Sequence, residues 1–342
     1  MRTAAADEGL LRAPPEPAEK NVKRTPGFFV LAASLAFATP SYAQVYPNKD
    51  VHFICAIPAG SGADVIVRFI AEKMRPLMSQ PIIVENRAGA SGNIATEYVA
   101  RSKPDGYTIY VHAGSAVAAN MHLFKRPPVD VASALQVVAT INRQPFMVVV
   151  DAKRPWSSIA ELTAYLKTKG DKASYATVGP IARVMGALYN QIAGLQAVEV
   201  HYKTAADSIN DMASGALDYG MQDPQFSLAQ ARQGRLRILA VSTGKRLAAN
   251  PDLPTMAESG VPGIDLMGWF AAMVPAGTPR PIVDQLNAWF SQVVATDETK
   301  RFLNSFGGDP WIATPEEGQA RLRQDIEAWG AYVRLAKIEP EG

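Results

Sequence analysis

Cysteine is almost absent from this 342-residue chain: Cys55 is the only one, so no internal disulfide can form. Set in a short apolar stretch, it reads as a buried core thiol. Histidine is scarce as well. His52, His112, His122 and His201 show none of the spacings of a metal site, and no His-Glu-x-x-His sequence occurs. A Gly-x-Ser-x-Gly nucleophile elbow is also missing. Together these absences leave an enzyme poorly supported and give no reason to expect a cofactor or a metal. A net charge of +2, with no stripe of basic and aromatic residues, speaks against a nucleic-acid surface. Long apolar runs are lacking too: the run at 28–38 is too short to stay in a bilayer as an anchor. What remains is an ordinary globular composition, 48% hydrophobic and 19% charged, long enough for one large or two medium domains.

The short apolar run has a different meaning. Lys20, Lys23 and Arg24 precede it, and Ser41 and Ala43 follow at the two small-residue positions that a signal peptidase reads. Residues 1–43 are therefore expected to be an N-terminal extension and export leader, cleaved after Ala43, with the mature chain beginning at Gln44 in the periplasm. The residues before Lys20 are rich in Ala, Pro and Glu, unlike a leader, so translation is expected to start at Val22. A peptide across 12–20 in the uncleaved precursor, found by mass spectrometry, would sink that expectation.

The stretch that organises the mature chain is 51–93. Residues 52–57 form an apolar, β-branched run ended by Pro58, hence a strand. The turn Pro58-Ala59-Gly60-Ser61-Gly62-Ala63-Asp64 follows, and then Val65, Ile66, Phe69, Ile70, Met74 and Leu77 fall at helical spacing. Two glycines permit close approach of a ligand, and a helix beginning at Asp64 would offer unpaired N–H groups to an anion, with Asp64 as the cap. The same residues also suit a plain strand-to-helix turn without a ligand. A dinucleotide fingerprint fails because Val65 stands where a third glycine is required, and no Gly-Lys-Ser/Thr follows for a phosphate loop.

Further along, a strand at 81–85, a glycine-rich loop at 86–93, a strand at 107–112 and a turn at Gly114-Ser115 continue a β-α-β-α pattern. That pattern implies an α/β fold with a mainly parallel sheet covered on both faces. Strands at 136–142 and 146–150 come next. Ser158 and Glu161 make a capping box. A second β-α series has strands at 173–177, 198–201, 219–222 and 237–242, able to stand as its own domain. After a Pro- and Gly-rich segment at 250–265, a strand at 266–274 and a helix at 282–295 are expected. A long amphipathic helix then starts from the Thr314 and Glu317 capping box. Trp269, Trp289, Trp311 and Trp329 sit in patterns of core or hinge packing.

Several segments in this order carry a resemblance: Tyr46-Pro47, IPAGSGAD (57–64), VENRAGASGN (84–93), PDGYT (104–108), VHYKTAAD (200–207), LPTMAESGVPG (253–263), VPAGTP (274–279) and IEAWG (326–330). The chain resembles the Bug family, the extracytoplasmic solute receptors of tripartite tricarboxylate transporters. The resemblance implies a two-domain periplasmic binding protein of the type II, flytrap kind with two crossing hinge strands. Residues 44–148 plus 265–342 would form domain 1 and residues 149–264 domain 2. It also implies a receptor that captures a small carboxylate in an interdomain cleft and delivers it to membrane transporter subunits in a transient complex. A monomer is expected, with no cofactor, no metal and no nucleic acid. Carried over by position, the ligand-binding candidates are Ala59, Gly60, Ser61, Gly62, Ala63 and Asp64, with Gly114, Ser115 and Ala116. From the second domain come Gly179, Pro180, Ile181, Ala182, Arg183, Tyr202 and Asp223. The loop at 58–64 would face the loop at 178–183.

The second wall departs from the family pattern. Where relatives have a Gly-Asn-Gly-Thr-like turn and Ser-Ser-His, this chain has Val178-Gly179-Pro180-Ile181-Ala182-Arg183-Val184-Met185. Arg183 could pair bidentately with a ligand carboxylate, with Pro180 and Ile181 against an apolar body, or it could point to solvent from the first helical turn. Two other function classes stay open: a ligand-sensing periplasmic receptor for a signalling partner, and a secreted α/β enzyme.

Overall fold

The computed structural model describes residues 46–342 and Pro15. The expected export leader, apart from Pro15, and the expected cleavage after Ala43 lie outside the described residues. The organising stretch folds as β1 (Val51–Cys55), α1 (Gly62–Met78) and β2 (Ile82–Asn86). It continues into α2 (Asn93–Ala100), β3 (Thr108–Ala113) and α3 (Gly114–Leu123). β1 pairs in parallel with both β2 and β3, as the alternating pattern requires. Successive residues of β1 face opposite ways. Phe53 packs with Ile66, Ile70 and Met74 of α1, whereas Ile54 packs with Ala95 of α2 and Val117 of α3.

The short α4 (Val131–Ala134) leads into β4 (Leu135–Gln144) and β5 (Met147–Asp151). The second series is α5 (Ile159–Lys169), β6 (Ser174–Thr177), α6 (Gly179–Ala193), β7 (Val198–His201), α7 (Ala205–Ser214), β8 (Tyr219–Gln222), α8 (Pro224–Arg232) and β9 (Leu236–Val241). The chain closes with β10 (Gly268–Pro275), α9 (Arg280–Ala295), α10 (Asp297–Ser305), β11 (Asp309–Pro310) and α11 (Pro315–Leu335). Two sheets result, in the orders β11-β4-β10-β3-β1-β2 and β7-β6-β8-β5-β9. Both are mixed. β10 lies antiparallel between β3 and β4, and β5 lies antiparallel between β8 and β9. The expected parallel character therefore holds only within the β-α series, because β10 returns from the other half and enters the first sheet in the opposite direction.

The chain passes between the sheets at 145–146 and again at 242–267. The first crossing precedes Val148, Val149 and Val150, which are fully buried inside β5. Ser242 ties the crossings together: its hydroxyl accepts from the Phe146 amide at 2.8 Å and donates to the Leu266 carbonyl at 2.6 Å. Caps set the helix ends. Thr314 and Glu317 complete the expected capping box of α11. At α5 only half the box forms: Ser158 accepts from the Glu161 amide, but the Glu161 carboxylate turns to the amide and hydroxyl of Ser157. α10 and β11 carried no sequence expectation. α10 is mostly polar, and its place is set by Phe302, stacked 3.8 Å from Phe69 of α1.

Candidate functional site

The turn at 58–64 is built around a buried carboxylate. Ser61 is the N-cap of α1, and its hydroxyl accepts from the Asp64 amide at 3.3 Å. Asp64, expected as the cap, instead sits in the first turn and reaches back: its Oδ2 accepts from the Gly60 amide and from Arg68 Nε, each at 2.8 Å. Its Oδ1 accepts from Asn86 Nδ2 at 2.8 Å, and Asn86 also donates to the Ile57 carbonyl. Burial alone would raise the Asp64 pKa, but the hydrogen bonds from Arg68, Asn86 and Gly60 outweigh it and hold the carboxyl below its usual range. Asp64 thus shapes the loop and is fully occupied in doing so. The amides of Gly62 and Ala63 open α1 without a partner among the described residues. Gly62 lies against the second half of the chain: a Cβ there would stand 2.9 Å from Gln225 Cβ on α8. Gln225 in turn donates to Gln144 Oε1 on β4 at 2.8 Å.

The start of α3 has no side-chain cap. Gly114 is there because Trp269 is: a Cβ at position 114 would stand 2.3 Å from the indole. Trp269 is fully buried, with its indole N–H donating to Asp325 at 2.6 Å. The hydroxyl of Ser115 is spent on the Trp269 amide at 3.3 Å, and Ser115 and Ala116 are buried. Just before this turn lies His112, buried and stacked on Tyr110, with burial holding its pKa down at about 4. Its Nε2 would be 3.3 Å from a Cβ at Gly92, which brings the loop at 86–93 against the end of β3.

On the second half, α6 begins at Gly179 with Pro180 in its first turn and no side-chain cap. Ile181 and Ala182 bury their side chains in the core, so the turn offers Gly179, Pro180 and Arg183 to the cleft. These three line a cavity of about 280 Å³ together with Ser91, Leu123, Phe124, Glu199, His201 and Glu341. Arg183 bonds to the Glu341 carboxylate and lies 3.7 Å from Glu199 Oε2. Tyr202 and Asp223 do not line this cavity. The Tyr202 hydroxyl donates to Asp211 at 2.5 Å, and burial followed by that carboxylate pushes the phenol up to about 12. Asp223 caps α8 by accepting from the Phe226 amide at 2.9 Å, and burial raises its pKa. The turn at 179–183 shares its cavity with Ser91 and the C-terminal tail, whereas the loop at 58–64 meets Gln225. Among the described residues, no group of His, Cys, Asp and Glu is placed to hold a metal, and no helix is long and apolar enough to cross a membrane.

A family model for tripartite tricarboxylate transporter family receptors matches residues 66–336. The chain belongs to that receptor family. It is 30% identical to BugT of Bordetella pertussis, over 90% of this chain and 95% of BugT. It is 32% identical to a UPF0065 protein of Bordetella bronchiseptica, over 90% of this chain and 91% of that one. Among solved structures it is similar to R. palustris Rpa4515 with adipate, at 29% identity and a TM-score of 0.81, covering 86% of this chain and 99% of the other. The periplasmic binding protein BugD is also similar, at 29% identity and a TM-score of 0.79, covering 86% and 100%.

Bug receptors are two-domain periplasmic solute-binding proteins, not a class of enzymes. Within this receptor, Ser91, Leu123, Phe124, Glu199, His201 and Glu341 line the cavity without having been candidates. Ser91 lay inside one of the family segments, so a signal existed for it. Glu341 gave none. It reaches the cavity because its amide donates to the Leu123 carbonyl and its carbonyl accepts from Lys125, each at 2.8 Å, pinning the tail beside the end of α3.

Proposed function

We propose that this receptor captures a small carboxylate between two lobes, residues 44–148 plus 265–342 and residues 149–264, and hands it to tripartite transporter subunits in the membrane. The observation that carries the reading is the cavity of about 280 Å³ lined from both halves of the chain, with Ser91 and Glu341 on one side and Gly179, Pro180 and Arg183 on the other. Its size suits a small solute and no peptide. Adipate in the R. palustris relative supports a carboxylate as the cargo. Backbone amides at the start of α6 supply donors for carboxylate oxygens. Of the sequence candidates, Gly179, Pro180 and Arg183 line this cavity and are assigned as ligand contacts. The mature chain acts as a periplasmic monomer after cleavage behind Ala43.

A thermal-shift screen of residues 44–342 tests this reading, with a panel running from dicarboxylates and citrate through amino acids to benzoates, phthalates and nicotinate. A ligand at a hundredfold its Kd stabilises the fold by about 2.7 kcal/mol, a readable shift. A hit from any class of carboxylate supports the receptor; a flat panel rejects the cargo assigned to it.

A further inference from the structure

The charges around the cavity are unequal. Among the described residues of the lining, Arg183 is the only permanent cation, against two acids, Glu199 and Glu341. Both acids are held in place. Glu199 Oε1 accepts from the Thr177 hydroxyl at 2.6 Å, which leaves Oε2 turned toward Arg183 at 3.7 Å. Glu341 is fixed through its backbone to Leu123 and Lys125, and its carboxylate bonds to Arg183 from the other half of the molecule. The guanidinium is therefore more than neutralised before any ligand enters. The other sequence candidates supply no offset: Asp64 already holds Arg68, and Asp223 has no basic partner among the described residues. The remaining lining is Ser91, His201, Gly179 and the apolar Leu123, Phe124 and Pro180.

A dicarboxylate in this cavity would set its two carboxylates beside Glu199 and Glu341, four acids against one guanidinium, and like charges at such short range repel. A molecule with one acid and one base meets no such conflict. Its carboxylate replaces part of the acid partnership of Arg183, with the free amides at the start of α6 beside it, and its ammonium takes the acids that Arg183 releases. Resting on the cleft reading above, we propose that the cargo is a small zwitterion, an amino-carboxylate whose ammonium is held by Glu199 and Glu341 and whose carboxylate is held by Arg183. Glu199 and Glu341 are then the specificity-determining residues that turn a carboxylate cleft away from dianions.

Matched ligand pairs test this on the mature chain by calorimetry: 4-aminobutyrate against glutarate, and 5-aminopentanoate against adipate. Each pair differs only in an ammonium exchanged for a carboxylate. The amino-carboxylate is expected to bind roughly tenfold more tightly or better within a pair, and the preference is expected to reverse in Glu199→Gln/Glu341→Gln. Because Glu199 accepts a bond from Thr177, Glu341→Gln alone serves as a second variant on the exposed tail, with the preference narrowed. Tighter binding of the dianions by the wild type overturns the zwitterion while leaving a carboxylate receptor standing. A preference for amino-carboxylates that survives in both variants overturns the role of the two glutamates. Failure of every member of both pairs to bind overturns the zwitterion, while a hit elsewhere in the wider carboxylate panel keeps the receptor reading standing.

Discussion

Asp64 keeps a charge where almost no water reaches it, and it can do so because Arg68, Asn86 and the Gly60 amide all point at it. Half of this was legible: Arg68 stands one helical turn from Asp64 in the sequence, but Asn86 arrives only when β2 pairs with β1. His112 shows the opposite solution at the same scale. It has no charged partner among the described residues, so burial keeps it neutral, with a pKa of about 4 against an ordinary 6.5. Between those values the unfolded chain binds a proton that the folded chain refuses. Stability is therefore intact above about pH 6.5 and is lost as pH falls toward 4, by about 2–3 kcal/mol at pH 4.5 from this residue. His112→Gln is expected to remove that part of the acid sensitivity, read as the difference in urea midpoints between pH 7 and pH 4.5. Equal losses in wild type and variant would show that His112 is not held neutral.

Elements differ in how much of them can be read locally. α11 is announced by Thr314 and Glu317, because a capping box lies within a turn of the residues it governs. β10 is a different case. Its residues read as a strand, but their antiparallel place between β3 and β4 depends on the direction from which the chain returns. That placement drives Trp269 into the start of α3 and leaves room only for glycine at 114. Gly114→Ala is expected to cost about 1–3 kcal/mol through overpacking, seen as a lower denaturation midpoint. An unchanged midpoint would mean that Trp269 can move aside and that the uncapped end of α3 is less rigidly placed than its packing implies.

At the scale of the whole molecule, two sheets are joined by two crossings that share Ser242, an arrangement suited to hinge closure. α3 and α11 from the first half share one apolar core with α6 from the second, so the halves meet across side chains as well as through the crossings. If ligand capture closes this cleft, small-angle scattering of residues 44–342 should show a smaller radius of gyration when a thermal-shift hit is added at saturation. A hit that stabilises the fold and leaves the scattering curve unchanged would separate binding from closure and reject the flytrap motion.

The sequence by itself determined the alternation of strands and helices, the capping box of α11, the buried thiol at Cys55, and the order of segments that placed the chain among Bug receptors. Those features rest on neighbours within a few residues or on a linear order, both of which a sequence displays. Tertiary structure alone decided which charges meet. Arg183 was visible as an unusual residue, yet its partner Glu341 is 158 residues away and enters the cleft only through the pairing of the tail with the end of α3. The balance of acid and base in the cavity is a property of distant segments brought within a few ångströms, and Coulomb interactions at that range set what the cleft accepts.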